Sequence, residues 1–153
     1  MGFESEKNSI LEAVSEYKES VEKIAVFLPW LEKKSGQNLM ESFVPNNCAT
    51  AMPIPRYDSN LLDFIKTLEN SGRINKNYDY VYKRYKIYNE DDEISLTHRA
   101  NITDMEMLFA ILSKYVILGR TKGLIWKSGV ENGVYFEVVK KMKELIEFWS
   151  MPM

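Results

Sequence analysis

The sequence predicts an all-α protein, a single-domain helical bundle around a buried central helix. Apolar residues recur at helical spacing along several segments, and one segment, Met105 to Leu118, is apolar on almost every side. A helix without a polar face needs neighbours around most of its circumference, so the other helices are expected to enclose it. At 153 residues, the chain is expected to form one helical domain over residues 1–153.

The N-terminal segment is predicted to be a long amphipathic helix. Its apolar residues follow one another in steps of four and three: Ile10, Val14, Tyr17, Val21, Ile24, Leu28 and Leu31. Pro29 lacks an amide hydrogen and clashes one turn back, so it should kink or split the helix between Ala25 and Leu28. The stripe also has coiled-coil spacing, which leaves two uses open. We favour docking onto the central helix over a homodimer seam through residues 10–31.

Residues 38–58 are the least regular part of the chain. They contain Pro45, Pro53 and Pro55, together with scattered apolar residues. We predict a long loop between the first and second helical segments, and a loop of this length is often either functional or disordered. The second segment is a helix that buries leucines and an isoleucine from Leu61 to Leu68 and ends at Gly72.

The acidic run Glu90-Asp91-Asp92-Glu93 is predicted to be a solvated turn, followed by a polar loop up to Ala100. Thr103 and Glu106 then have the spacing of a capping box at the start of the central helix. Gly119 is expected to end that helix in a left-handed conformation. A short helix over 124–132 and a last amphipathic helix over 134–149 complete the bundle.

The composition argues against several classes of function. A formal net charge of −2 is unlike that of proteins that bind nucleic acids or anionic membranes over their whole surface. One cysteine, Cys48, and one histidine, His98, are too few for a disulfide framework or a zinc site. We therefore expect no metal and no cofactor. The first residues are acidic and polar without a signal-peptide pattern, so a cytoplasmic location without membrane association is expected.

The first candidate binding segment runs from Arg73 to Tyr88 and interleaves tyrosines with basic residues. Tyr80, Lys83 and Arg84 are its candidate binding residues, because aromatic and cationic side chains can stack on bases, contact phosphates or anchor a protein interface. The alternative, which we favour, is a buried helix face with solvated basic residues around it. That face would comprise Tyr78, Val81, Tyr82, Tyr85 and Tyr88.

The second candidate is the elbow after the central helix. Its candidate binding residues are Arg120, Lys122, Trp126 and Lys127. A helix, a tight turn and a short helix can form a helix-turn-helix, whose second helix enters the major groove of DNA. Against this, the short helix has few base-reading groups, and Gly129 weakens it. A tryptophan in such a helix, here Trp126, is more often a core residue than the centre of a binding site.

Several residues follow one another in an ordered pattern over most of the chain. Pro55-x-Tyr57 precedes a leucine-rich helix, and Gly72-x-Ile74 and Tyr78-Asp79-Tyr80 follow it. A second leucine-rich helix ends near Arg120 and Gly123, and Gly133 precedes an apolar helix with basic residues. In this pattern the stretch from Phe27 to Leu145 resembles the bacterial and phage domain-of-unknown-function family 6508. It departs from the family at Lys83, where an aromatic is expected, and at Ile117, where an arginine is expected. The resemblance implies a mostly helical fold and no assigned reaction.

Three functions remain open on the sequence. The first, which we favour, is a non-catalytic protein-interaction module, for which a phage or mobile-element inhibitor of a host defence protein is one natural form. The second is an accessory protein that binds nucleic acid through the Arg73–Tyr88 segment or the elbow. The third is an enzyme with a carboxylate-based site, since carboxylates brought together only by folding leave no spacing signature.

Overall fold

A computed structural model of the chain describes residues 2–34, 41–43, 54–56, 59–122 and 124–150, with side chains for 8–34, 59–122 and 124–150. The described residues form eight α-helices: α1 (Gly2–Ala25), α2 (Leu28–Lys34), α3 (Ser59–Asn70), α4 (Tyr78–Tyr85), α5 (Glu90–Arg99), α6 (Met105–Gly119), α7 (Leu124–Glu131) and α8 (Val134–Ser150). One turn of 3-10 helix, Ile102–Asp104, precedes α6. The all-α class is confirmed.

Helix α6 is the buried centre of the bundle, as its apolar sequence predicts. Leu108, Ala110, Ile111 and Leu112 have no exposed surface, and Val116 one turn further along is equally buried. Helices α3, α4, α7 and α8 all pack against α6. Because neighbours cover it on several sides, α6 tolerates no polar stripe.

The N-terminal segment is split at the predicted place. Helix α1 ends at Ala25 and α2 begins at Leu28, next to Pro29. The apolar stripe faces the core of the same chain: Val21, Ile24 and Leu31 are at most 1% exposed. The stripe therefore docks within the chain as predicted, but its main partner is α8 rather than the central helix, which it reaches through the stacking of Tyr17 on Phe109. Because the chain's own helices cover the central residues of the stripe, these residues are not available for a homodimer seam.

Two three-residue strands lie within the stretch predicted to be a loop. β1 (Glu41–Phe43) and β2 (Ile54–Arg56) pair antiparallel, with Glu41 opposite Arg56 and Phe43 opposite Ile54. The rest of residues 38–58, including Cys48, lies outside the described residues. Helices α3, α7 and α8 fall where the sequence predicts them, and Gly72 follows α3 with a φ of 73°.

The prediction of a turn and a loop over residues 90–100 is wrong. These residues form α5, and the side chain of Asn89 caps it by accepting a hydrogen bond from the amide of Asp92 at 2.8 Å. The four acidic residues occupy the first turn, where the helix dipole stabilises negative charge. Glu93 and Thr97, one turn apart, are completely buried. Helix formation thus turns one carboxylate of the acidic run into the core.

Both predicted ends of the central helix also need correction. Thr103 does not cap that helix, because a 3-10 turn over Ile102–Asp104 precedes α6 and Asp104 is the N-cap residue of α6. The capping box belongs to that turn: Asn101 accepts from the amide of Ile102 at 2.8 Å, and Asp104 accepts from the amide of Asn101 at 2.9 Å. At the other end, Gly119 is helical, and its role is close packing. A Cβ atom there would overlap the indole ring of Trp126, so only glycine lets that ring lie on the helix.

Candidate interaction surface

Helix α4 divides the tyrosine-rich segment between a buried and an exposed face. Val81 is 2% exposed, and Tyr78, Tyr82 and Tyr85 are half-buried. The predicted buried face is confirmed for these four residues. It is wrong for Tyr88, which follows the helix and is 79% exposed, because the helix ends before Tyr88 can turn inward.

The opposite side of α4 presents three of the predicted binding residues together. Tyr80 is 70% exposed, and Lys83 and Arg84 are also exposed. They stand three and four residues after Tyr80, which places all three on one side of a helix. We call Tyr80, Lys83 and Arg84 the α4 face. Arg84 lies 3.9 Å from Glu106 across the surface, and this exposed ion pair is weak.

Two hydrogen bonds hold α4 against the central helix. The Tyr85 hydroxyl donates to Asp104 Oδ1 at 3.1 Å, near the start of α6. The amide of Asn75, ahead of α4, donates to the Ser113 hydroxyl at 2.8 Å, and Ser113 in turn donates to the Phe109 carbonyl. The segment is therefore fixed to α6 at both ends, and the α4 face lies on a helix that is held in place.

Beneath α4 lies a buried polar cluster around Glu93. Its carboxylate has no exposed surface and accepts three hydrogen bonds. The Tyr82 hydroxyl donates to Oε2 at 2.5 Å, Lys114 Nζ donates to the same oxygen at 2.9 Å, and the Tyr115 hydroxyl donates to Oε1 at 2.7 Å. Asn132 Nδ2 then donates to the Tyr115 hydroxyl at 3.0 Å. The cluster connects α4, α5 and α6 to the turn before α8.

Burial raises the pKa of both phenols in this cluster. For Tyr82 and Tyr115 the largest cause is desolvation, and the negative charge and hydrogen bond of Glu93 add to it. Both hydroxyls therefore remain protonated donors at any physiological pH. A fully enclosed carboxylate that already accepts three hydrogen bonds is suited to holding helices together, since it cannot contact a substrate unless the helices rearrange.

The elbow residues do not form an open cationic surface. Arg120 donates to Glu69 Oε2 from Nε at 3.3 Å and from Nη2 at 3.1 Å, and Lys127 Nζ lies 2.9 Å from Glu131 Oε1. These carboxylates neutralise the two cations. Among the elbow's candidate binding residues, Arg120 and Lys122 are exposed, and Arg120 is the one paired with Glu69.

Trp126 is a packing residue of the elbow. Its ring lies on Gly119, and its Nε1 donates to the Val116 carbonyl at 3.0 Å. A helix-turn-helix needs side chains of its second helix directed outward, toward bases. The inward ring of Trp126 and the carboxylates beside Arg120 and Lys127 do not provide such a reading surface.

The two predicted groups of binding residues lie at opposite ends of α6. Arg84 faces Glu106 in the first turn of that helix, and Arg120 follows its last residue. The step of fourteen positions from Glu106 to Arg120 corresponds to about 21 Å of helix at about 1.5 Å per residue. The structure therefore brings Tyr80, Lys83 and Arg84 together and does not join them to the elbow.

His98 pairs with a carboxylate on the surface. Its Nε2 lies 2.7 Å from Glu137 Oε2, and Lys141 Nζ donates to the His98 carbonyl at 3.0 Å. The imidazole side chain is 58% exposed. Within the described residues, no three histidine, cysteine or acidic side chains are grouped as metal ligands. His98 thus links α5 to α8.

Comparisons with known protein families, with curated proteins and with solved structures find no match to this chain. The resemblance to family 6508 therefore stays a prediction. No helix in the described part of the chain is long and apolar enough to cross a membrane.

Proposed function

We propose that this protein is a non-catalytic protein-interaction module and that the α4 face is its binding surface. The observation that carries the proposal is the exposure of Tyr80 beside Lys83 and Arg84 on an anchored helix. Tyrosine and arginine are enriched at the energetic centres of protein interfaces, because each combines a large contact area with directional hydrogen bonds. A partner would cover the Tyr80 ring and leave the cations at its edge.

The charge of the segment indicates the kind of partner. From Arg73 to Tyr88 there are five basic residues and one acidic residue, Asp79, a net charge of +4 in a chain whose total is −2. Opposite charges accelerate association and select partners. We therefore expect an acidic protein surface against the α4 face. The hypothesis of a mobile-element inhibitor bound to a host defence protein stays a prediction.

A non-catalytic role is supported by the state of the ionisable groups. Glu93 is enclosed, and His98 is engaged with Glu137 on an exposed surface. An enzyme with paired carboxylates needs two ionisable groups converging on a cleft that admits a substrate. Neither Glu93 nor His98 has this arrangement.

Site-directed crosslinking tests the proposal. A photoreactive amino acid replaces Tyr80 in the full chain, and the same amino acid replaces Lys66, an exposed residue of α3, as the control. We expect covalent protein adducts from position 80 in the source cells and few from position 66. Arg84→Glu in the same chain should remove most of the adduct, because it reverses the charge beside the crosslinker. Equal adducts from both positions would contradict the proposal.

Nucleic-acid binding is the second candidate, because the same face places an aromatic ring beside two cations. It predicts binding of single-stranded DNA or RNA that weakens steeply with salt and with Arg84→Ala. Fluorescence anisotropy at low and at physiological salt measures this. The nucleic-acid candidate would replace the protein-interaction proposal if the binding depends on salt and on Arg84, and if the crosslinker at position 80 gives adducts with nucleic acid and none with protein. Absence of such binding would remove the second candidate.

A further inference from the structure

A groove lies between helices α1 and α8, on a different part of the molecule from α4. Its apolar lining consists of Val21 and Ala25 from the end of α1, Val26 directly after that helix, and Ile146 from α8. Val21 and Ile146 are buried floor residues, while Val26 is 71% exposed at the rim. The groove encloses about 310 Å³, near the lower limit of small-molecule pockets, which span about 300–1,000 Å³. This size and the open, apolar lining suit one large side chain.

The charged residues of the groove are mostly acidic. Glu22, Glu147 and Lys143 complete its lining. Lys143 Nζ lies 3.7 Å from Glu147 Oε1 within α8, and this exposed pair is weak, so the two carboxylates and one ammonium give the lining a formal net charge of −1. No ion pair to Glu22 forms among the described residues, and Glu22 is exposed. A matching occupant therefore combines a large apolar or aromatic side chain with a cation one helical turn away.

The α4 face has this combination: the Tyr80 ring is followed at i+3 and i+4 by Lys83 and Arg84. We infer that the groove binds the α4 face of a second copy of this chain, with Tyr80 in the groove and the cations near Glu22 and Glu147. The inference rests on the proposed function, because it names the partner of the same face.

The contact joins two different patches of the chain. Helix α4 packs on α6, whereas the groove lies where α1 meets α8. A contact between unlike patches adds copies head to tail, and each assembly still ends in one free face and one free groove. The groove lies partly within residues 10–31 and has Val21 of the apolar stripe at its floor, but the contact differs from the predicted homodimer seam, since it joins two unlike surfaces and also uses α8.

Sedimentation velocity of the purified full chain tests the inference. We expect the average mass to rise with concentration between about 10 µM and about 1 mM, the range for a small interface. A face variant, Tyr80→Ala with Arg84→Glu, and a groove variant, Glu22→Lys with Val26→Ser, should each remain monomeric. All four positions are exposed, so circular dichroism should report an unchanged fold.

Mixing the two variants is the decisive measurement. The groove variant keeps an intact face and the face variant keeps an intact groove, so an equimolar mixture should form a dimer and no larger species. Lys66→Glu and Glu12→Lys serve as charge-matched controls on exposed surface and should self-associate as the unmodified chain does. Failure of the mixture to dimerise, or self-association that persists in both variants, would overturn the inference.

The outcomes for the two proposals can be separated. A chain that stays monomeric up to about 1 mM, yet crosslinks from position 80 to a different protein in cells, overturns the second-copy inference and leaves the α4 face as a binding surface. A monomeric chain without any protein adduct from position 80 overturns both. An adduct whose mass equals two copies of this chain supports both.

Discussion

Replacing Glu93 by glutamine should destabilise the protein more than any change at the other acidic residues of α5. The substitution keeps the volume of the side chain and removes its charge. Two donors, Tyr82 and Lys114, converge on Oε2, and the Tyr115 hydroxyl occupies Oε1. Because one amide position is itself a donor, Glu93→Gln leaves at least one phenol without its acceptor in either orientation of the amide.

The magnitude follows from these three hydrogen bonds. An orphaned buried donor costs about 1–3 kcal/mol, and a hydrogen bond to a charged acceptor exceeds a neutral one by about 1 kcal/mol. The side chain of Lys114 is 27% exposed and can be rehydrated, so its loss adds little. We therefore expect a loss of about 3 kcal/mol, a large part of the about 5–15 kcal/mol that stabilises a typical domain. For a chain of this size, Tm should fall by roughly 6–12 °C.

Urea denaturation followed by far-ultraviolet circular dichroism measures the free energy of unfolding. Glu90→Gln is the matched control, because Glu90 is an exposed residue in the first turn of the same helix. It should change the free energy of unfolding by less than about 0.5 kcal/mol. If Glu93→Gln loses less than about 1 kcal/mol, like its control, the cluster does not hold α4, α5 and α6 together in the way we describe.

Three further predictions concern stability. Gly129→Ala should lower the free energy of unfolding by about 1–3 kcal/mol in urea denaturation, because a Cβ atom there would overlap the Tyr135 ring. Since alanine favours helices more than glycine does, a gain in stability would show that the ring does not pack on Gly129. Lys86→Gly should raise that free energy by about 0.5–1 kcal/mol, because Lys86 has a φ of 58°, and an unchanged midpoint would rule out strain there. The raised pKa values of Tyr82 and Tyr115 mean that folding favours the protonated phenols. Their contribution to the free energy of unfolding is therefore complete below pH about 10 and falls above it by about 1.4 kcal/mol per pH unit for each phenol. Replacing both residues by phenylalanine should flatten the alkaline side of a plot of stability against pH.

Periodicity was enough to predict most of the helical framework. The segment Met105–Leu118 is apolar on almost every side, and the fold encloses it. The split near Pro29 and the buried side of α4 also follow from local rules, since a proline interrupts a helix and amphipathic spacing orients it. The α4 face could be predicted for the same reason: residues opposite a buried stripe are exposed.

The Glu93 cluster could not be predicted in this way. A run of four acidic residues normally indicates a solvated surface, and the donors to Glu93 come from residues 11, 21 and 22 positions away. A weaker signal was present, because Asn89 caps the amide three residues on and Thr97 lies one helical turn after Glu93. The cap indicates a helix in place of a turn, but only the tertiary fold determines that Glu93 faces inward.

The elbow illustrates the same limit for a candidate site. Its cations are visible in the sequence, whereas the carboxylate that neutralises Arg120 belongs to Glu69, 51 residues earlier. Lys127 and Glu131, in contrast, are four residues apart in one helix, a spacing at which ion pairs commonly form. The role of Gly119 likewise depends on Trp126, which folds back from the next helix. Surface charge in a sequence therefore does not by itself indicate a binding site, because carboxylates from distant parts of the chain can pair with it.

The two sides of α4 should separate stability from binding. Tyr82 donates into the buried cluster, and Tyr80 points away from it with 70% of its surface exposed. Tyr82→Phe removes a donor to Glu93 and should lower the free energy of unfolding by about 1–3 kcal/mol while leaving self-association unchanged below the unfolding transition. Tyr80→Ala should weaken self-association with a change in stability below about 0.5 kcal/mol. If both variants changed both properties together, the α4 face would act through the fold, and the assignment of Tyr80 as a contact residue would be wrong.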